Sequence, residues 1–262
     1  MVLPHKPFVT TPDDLKASTK LEKHKAMVLY MDGILGRFLD KLSTLGIRDK
    51  TLVFWTTDNG TSGQITGTLD GRPVTGGKGK TTEPGICVPF LVSAPGLVPQ
   101  GVATDALTDI TDILPTFLQL AGGQLEEDYI YDGHSIADLI LGRAHDSPRS
   151  WILSMGGGNE AKLTDKGVEN RYHFRDRVLR EKRFKLYVNT ERKPVKLVDV
   201  VLDPAEERNL IHNPEPEARA ALTRLSMLVP GFPHHDNDPI YDPLPAQPWD
   251  VPVSAKSGDW KE

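Results

Sequence analysis

The residue types best suited to chemistry stand at the end of an apolar run. Leu52-Val-Phe-Trp-Thr56 is followed by Thr57-Asp58-Asn59-Gly60. A carboxylate beside an amide oxygen gives hard donors of the kind Ca²⁺ takes. Asp-Asn-Gly is also a turn signal in its own right, so taken alone the tripeptide is either a metal position or a tight turn. A second candidate is Lys78, within Gly76-Gly77-Lys78-Gly79-Lys80-Thr81-Thr82. A phosphate-binding P-loop needs its opening glycine where Arg72 (for Lys78) or Val74 (for Lys80) stands, so that reading fails. What remains is a lysine on bare backbone, which can approach an oxyanion closely. His5 sits between Pro4 and Pro7, where rigid backbone either aims the imidazole inward or leaves it on the surface.

Three further groups read as structural. Cys87, the one cysteine, is flanked by Ile86, Val88 and Phe90, with no cation to lower its pKa, and reads as a buried strand residue. His234-His235-Asp236-Asn237-Asp238 has the composition of a metal cluster but no scaffold to fix its geometry. Asp109 and Asp112 fall on the polar side of an expected helix.

The elements that must position these residues follow from periodicity. From about Leu15 to Leu45, Met27, Met31, Leu35, Phe38, Leu42 and Leu45 recur at helical spacing, and Gly46 is a natural stop. That helix leads directly into the strand ending at Asp58, which reads as half of a βαβ crossover. Residues 60–86 are glycine-rich and without periodicity, and read as a long ordered loop. Cys87 to Ser93 is a second strand candidate. Thr108 to Leu120 is a helix presenting Ile110, Ile113, Leu114, Phe117 and Leu118, and Ile136 to Leu141 is a shorter one. Beyond residue 150 the pattern changes to short, partly alternating strands: Trp151 to Ser154, Val178-Leu179, Phe184 to Val188 and Val195 to Val201. Strands in direct succession favour an antiparallel sheet. A helix over about Glu215 to Leu228 follows, then a proline-rich tail. The expected organisation is 1–150, 151–229 with a small antiparallel sheet and one helix, and 230–262 as an extended tail.

At 262 residues, 38% hydrophobic and 26% charged, the chain is long enough for one large domain or a medium and a small one. A formal charge of −5 argues against a dedicated nucleic-acid binder. One cysteine excludes an internal disulfide, and no apolar run is long enough for a membrane span. The first residues lack the pattern of a signal peptide.

Several of these segments, taken in order, resemble the sulfatase family of the alkaline-phosphatase-like superfamily. They are Pro4-His-Lys-Pro-Phe8, Thr57-Asp-Asn-Gly60, Lys78 with Glu83-Pro-Gly-Ile-Cys-Val-Pro89, Asp112-Ile-Leu-Pro-Thr116, Asp132-Gly-His-Ser135 and Asp203-Pro-Ala-Glu-Glu-Arg-Asn-Leu210. The resemblance implies an α/β fold: the carboxy-terminal part of an alkaline-phosphatase-like sheet with flanking helices, then a small antiparallel sheet plus helix. It implies hydrolysis of sulfate monoesters with one Ca²⁺ and a formylglycine nucleophile. Asp58 and Asn59 would ligate the Ca²⁺, Lys78 would bind the sulfate and the leaving oxygen, and His5 would contact the sulfate and help protonate the leaving group. A related phosphodiesterase or phosphonate monoester hydrolase shares the metal motif, and a non-catalytic binding or structural module is the reading from a different class. A periplasmic or secreted location would go with the family.

The family's nucleophile lies in Cys/Ser-x-Pro/Ala-x-Arg. Cys87-Val-Pro-Phe-Leu91 imitates it but places Leu91 at the arginine, and no serine satisfies the pattern. Formylglycine is thus expected only in a segment preceding this one. The expected partners are a sulfate ester, an amino-terminal half, or a second copy meeting an exposed sheet edge. Pro84 and Cys87 also depart from the family's glycine and arginine.

Overall fold

Helix α1, Lys20–Thr44, begins where the sequence can cap it. Thr19 Oγ1 accepts the Glu22 N–H, and Glu22 Oε2 accepts from the N–H groups of Thr19 and Ser18, each at 2.9 Å. Those backbone bonds, with the Ser18 hydroxyl, bring the Glu22 carboxyl down to about 2. A carboxyl lowered by folding stabilises the fold fully above the ordinary glutamate range and ceases to do so as pH falls through its lowered value. The first turn of α1 is therefore expected to fray between about pH 4.5 and about 2, read as faster amide exchange at Glu22 and Lys23 with the centre of the helix unchanged. The helix ends at Gly46, whose φ of +67° lets Ile47 N–H reach Leu42 O.

The computed structural model describes residues 3–237 except 127, 157–160, 165–166, 171 and 214. After α1 come strand β1, Val53–Thr56, hairpin strands β2, Thr66–Leu69, and β3, Arg72–Thr75, a one-turn helix α2, Glu83–Ile86, and strand β4, Phe90–Ser93. β1 pairs with β4, antiparallel, Val53 opposite Ser93 and Thr56 opposite Phe90. The expected βαβ crossover is therefore not completed among the described residues. The β2–β3 hairpin sits inside what the sequence presents as loop. Its turn, Asp70-Gly71, has φ +50° and +78°, the pair of positive angles a two-residue hairpin turn requires.

A 3₁₀ turn, Ile110–Asp112, leads into α3, Ile113–Leu120, and a short α4, Ala137–Ile140, follows. Here the expected facing is inverted. Asp112 and Thr116 are wholly buried, whereas Ile110, Leu114 and Phe117 are exposed. Asp112 accepts burial because it is fully engaged: Arg149 grips both carboxylate oxygens, which also accept from Asp109 and His134 N–H.

Strands β5, Ile152–Met155, β6, Ala161–Thr164, β7, Gly167–Asn170, β8, Arg177–Arg180, β9, Phe184–Val188, and β10, Pro194–Asp199, precede helix α5, Pro216–Ser226. β10-β9-β8-β5 form one antiparallel sheet, as the alternation foretells. Its period of two separates two faces. Leu179, Phe184, Leu186, Val188 and Leu197 pack against Ala218, Ala221 and Leu225 of α5. Lys185, Tyr187, Arg180 and Lys196 share the opposite face.

The start of the expected tail is tied down rather than free. Arg177 pairs with Asp236 at 2.7 Å, stacked on Phe174 with its guanidinium carbon 3.6 Å from the ring centroid. Asp236 is thus an ion-pair partner rather than part of a metal cluster. Residues 238–262 lie outside the described part. Among the described residues no helix is long and apolar enough to cross a membrane.

Candidate active site

The Asp58–Asn59 turn and the Lys78 loop are joined through α2 by backbone alone. Gly60 N–H donates to Gly85 O (3.0 Å), Gly77 N–H to Pro84 O (3.3 Å) and Lys78 N–H to Thr61 O (2.9 Å). The approach is close enough that a Cβ on Gly60 would meet Gly85 Cα at 2.8 Å, and one on Gly77 would meet Gly85 N at 2.7 Å. Gly60, Gly77 and Gly85 are therefore required by proximity rather than by turn angle. This explains why a stretch so rich in glycine is ordered: the three segments interlock.

Thr57 Oγ1 donates to Asn59 O at 3.1 Å, closing the turn. The Asp58 and Lys78 side chains are exposed, and among the described residues neither makes a hydrogen bond or ion pair. A carboxylate and an ammonium thus flank one junction with their charges unspent. His5 is also exposed. Its Nδ1 lies 2.6 Å from Lys6 O, and no bond among the described residues links it to Asp58, Asn59 or Lys78.

The donors fit a hard cation in kind but not in number. Ca²⁺ takes about six to eight oxygens, and among the described residues no group of three or more His, Cys, Asp or Glu is placed to hold a metal. Asp58 and Asn59 by themselves fall short of that number.

Cys87 corrects the buried-strand reading. It is exposed, and it caps α2 ahead of β4. Partial desolvation of its sulfur and the nearby Glu83 carboxylate push its thiol up, opposite to what a nucleophile needs.

The group that sequence reasoning passed over lies beneath α2. Lys185, fully buried, donates to Glu83 Oε1 and Glu206 Oε1, both at 3.1 Å. Arg180 holds Glu83 from the other side at 3.2 Å, and Tyr187 O–H donates to Glu206 Oε2. Burial and the Glu206 carboxylate push the Tyr187 phenol far above its usual range. The signal was available: Lys185 and Tyr187 interrupt Phe184-Lys-Leu-Tyr-Val188 at alternate positions, marking a second face that is polar and covered.

Comparison with known proteins shows what the chain resembles. Residues 4–123 match the sulfatase family. The segment holds Asp58, Asn59, Lys78 and His5. The sulfatase-like chain is 35% identical over 130 residues to the steryl-sulfatase of Rattus norvegicus, covering 47% of this chain and 22% of that protein. It is 27% identical over 252 residues to the arylsulfatase D of Homo sapiens, covering 86% and 41%. Among solved structures it superposes on Ps i-CgsB with a TM-score of 0.65 at 23% identity, over 85% of this chain and 46% of that one. It also superposes on a protein crystallised with its substrate D-glucosamine-2-N,6-O-disulfate, with a TM-score of 0.62 at 21% identity, covering 81% and 40%. The sulfatase-like chain therefore spans less than half the length of each of these four proteins. Its fold is mixed α/β, and its structural neighbours are sulfatases of the alkaline-phosphatase-like fold.

Proposed function

We propose that this chain contributes one wall of a site that hydrolyses sulfate monoesters. The observation that carries this reading is the Lys78 N–H bond to Thr61 O, which sets a lysine with an unpaired ammonium beside the Asp58–Asn59 turn. Cleaving a sulfate ester builds negative charge on the departing oxygen, and a cation aimed there stabilises it. Lys78 supplies that charge, and its glycine neighbours let the sulfuryl oxygens approach the backbone. His5 serves as the proton donor to the leaving oxygen once it is brought to the same pocket. Asp58 and Asn59 would hold part of a Ca²⁺ shell, and a bound Ca²⁺ supplies Lewis-acid polarisation of the sulfuryl oxygens. The formylglycine nucleophile is expected on a Cys/Ser-x-Pro/Ala-x-Arg segment.

The test uses a polypeptide that carries this chain together with such a segment. Turnover of 4-nitrophenyl sulfate is expected to exceed that of 4-nitrophenyl phosphate. Lys78→Ala is expected to lower kcat by about 10²–10³, the usual cost of removing one charge-stabilising donor. Activity indifferent to Lys78→Ala, or a preference for the phosphate ester, would overturn the reading.

A further inference from the structure

We infer that Glu206 is a positioning residue for Lys78: from the small sheet it fixes α2, and α2 fixes the lysine loop. The inference rests on reading Lys78 as the cation of the site. Its structural part can be tested without that reading.

Glu206 is placed with unusual care. The chain from Asp203 to Leu210 is laid along β10 by Asn209, whose Oδ1 accepts Leu197 N–H at 3.2 Å and whose Nδ2 donates to Val195 O at 3.1 Å. Leu210 N–H adds a bond to Leu197 O at 2.7 Å, and Asp203 Oδ2 accepts Arg208 N–H at 2.7 Å. Between these anchors Glu206 takes a φ of +58°, a left-handed conformation that a residue with a side chain keeps only when its surroundings dictate it. Lys196 Nζ, 2.6 Å from Glu206 O, is part of that dictation. The outcome is a carboxylate turned inward onto the polar face of β9, 4% exposed as a residue.

There it does two things. One oxygen meets Lys185 and the other Tyr187. Glu206 Oε1 also accepts the Glu83 N–H at 2.5 Å, the first N–H of α2. Glu83 is thereby held twice, by its backbone through Glu206 and by its carboxylate through Arg180 and Lys185. The next two residues are the ones that touch the site: Pro84 O takes Gly77 N–H, and Gly85 O takes Gly60 N–H. Glu206 is thus two links from the backbone of Lys78, although 123 residues separate it from Glu83 in sequence.

The chemistry of the cluster favours placement over plain adhesion. Lys185 and Arg180 balance Glu83 and Glu206, leaving a neutral buried set. Such a set stabilises a fold no better than apolar residues of the same volume would, because desolvation offsets attraction. What it adds is direction: each carboxylate oxygen has a designated donor, so α2 has one seat rather than a range of them.

Site-resolved amide exchange on the 262-residue chain tests this. In Glu206→Ala, the amides of Gly60, Gly77 and Lys78 are expected to exchange about 10–100 times faster, the loss expected for a charge-assisted bond. The β8–β9 ladder, read at the amides of Leu179 and Leu186, is expected to change by less than about threefold. Glu206→Gln keeps an oxygen for Glu83 N–H and is expected to recover part of the loop protection. Should Glu206→Ala fail to fold, Tyr187→Phe removes a single bond to Glu206 and should show the same selective pattern at smaller size. Equal loosening of sheet and loop, an unchanged loop, or a glutamine no better than alanine would each overturn the inference. A sulfate-ester assay that failed would leave these exchange rates as they are, so the two readings stand or fall separately.

Discussion

Asp112→Ala is expected to cost the chain about 3–5 kcal/mol of folding stability, the range for breaking one side of a buried ion pair. Asp112 is 0% exposed. Its carboxylate receives Arg149 Nε at 2.9 and 3.0 Å and Arg149 Nη2 at 2.5 Å, together with the N–H groups of Asp109 at 2.9 Å and His134 at 2.8 Å. Its backbone oxygen takes Thr116 Oγ1, which in turn accepts Ile136 N–H. Truncation would strand a guanidinium with little access to water and two N–H donors, and it would release residues 132–136 from α3. A urea titration measures the loss. The exposed Asp138–Arg143 pair, 3.7 Å apart, supplies the control, since Asp138→Ala should change stability by less than about 1 kcal/mol. Equal effects at the two aspartates would refute the account of Asp112.

Gly85→Ala should be a severe single-methyl change near the site. A Cβ at this buried position would run into the carbonyl oxygens of Lys80 and Gly77, both backbone, so neither can rotate away. Overpacking of this kind costs about 1–3 kcal/mol of stability. On the proposed role of Lys78, the effect on chemistry should be larger, because the atoms that must yield carry Lys78, and a displacement near 1 Å in a reacting group costs about 10² in rate. Gly36→Ala in α1 is the counterpart. Nothing lies within 4 Å of its Cβ, and alanine there should stabilise the helix by up to about 1 kcal/mol. Thermal melts of both variants, with turnover in the assembled enzyme for Gly85→Ala, separate the two outcomes. A harmless Gly85→Ala would mean that the loop tolerates more movement than its contacts imply.

What could be read from the sequence was whatever depends on neighbours along the chain. The Gly46 stop of α1, strands β9 and β10, and α5 follow from local period and stop signals, whereas α1 starts at Lys20, behind its Thr19 cap, and not near Leu15 where the period suggested. What escaped depends on partners distant in sequence. Asp112 reads as surface until Arg149 is brought to it. Ile110, Leu114 and Phe117 read as core, yet they are exposed because apolarity says that a face wants cover without saying what provides it. Asp70-Gly71 was a local signal, a hairpin turn masked by the glycine and threonine around it. At the site, Asp58 and Lys78 stood out by residue type and order, and the structure adds their backbone linkage through α2. Among the described residues it adds no link to His5. The buried cluster around Glu206 was harder still: Lys185 and Tyr187 show by their alternation that β9 has a polar face, but their partners Glu83, Arg180 and Glu206 come from other segments.

The sheet that carries this cluster has a consequence for the order in which the chain takes shape. Strands β8, β9 and β10 are joined through Glu181–Arg183 and Asn189–Lys193, so their pairings are local and close quickly, whereas β1 must wait for β4 across the whole lysine loop. Yet Glu206 is synthesised long after Lys78. On the ribosome the lysine emerges early and remains without its final backing until the sheet behind it has formed, so the site is finished from its far side, last residues first.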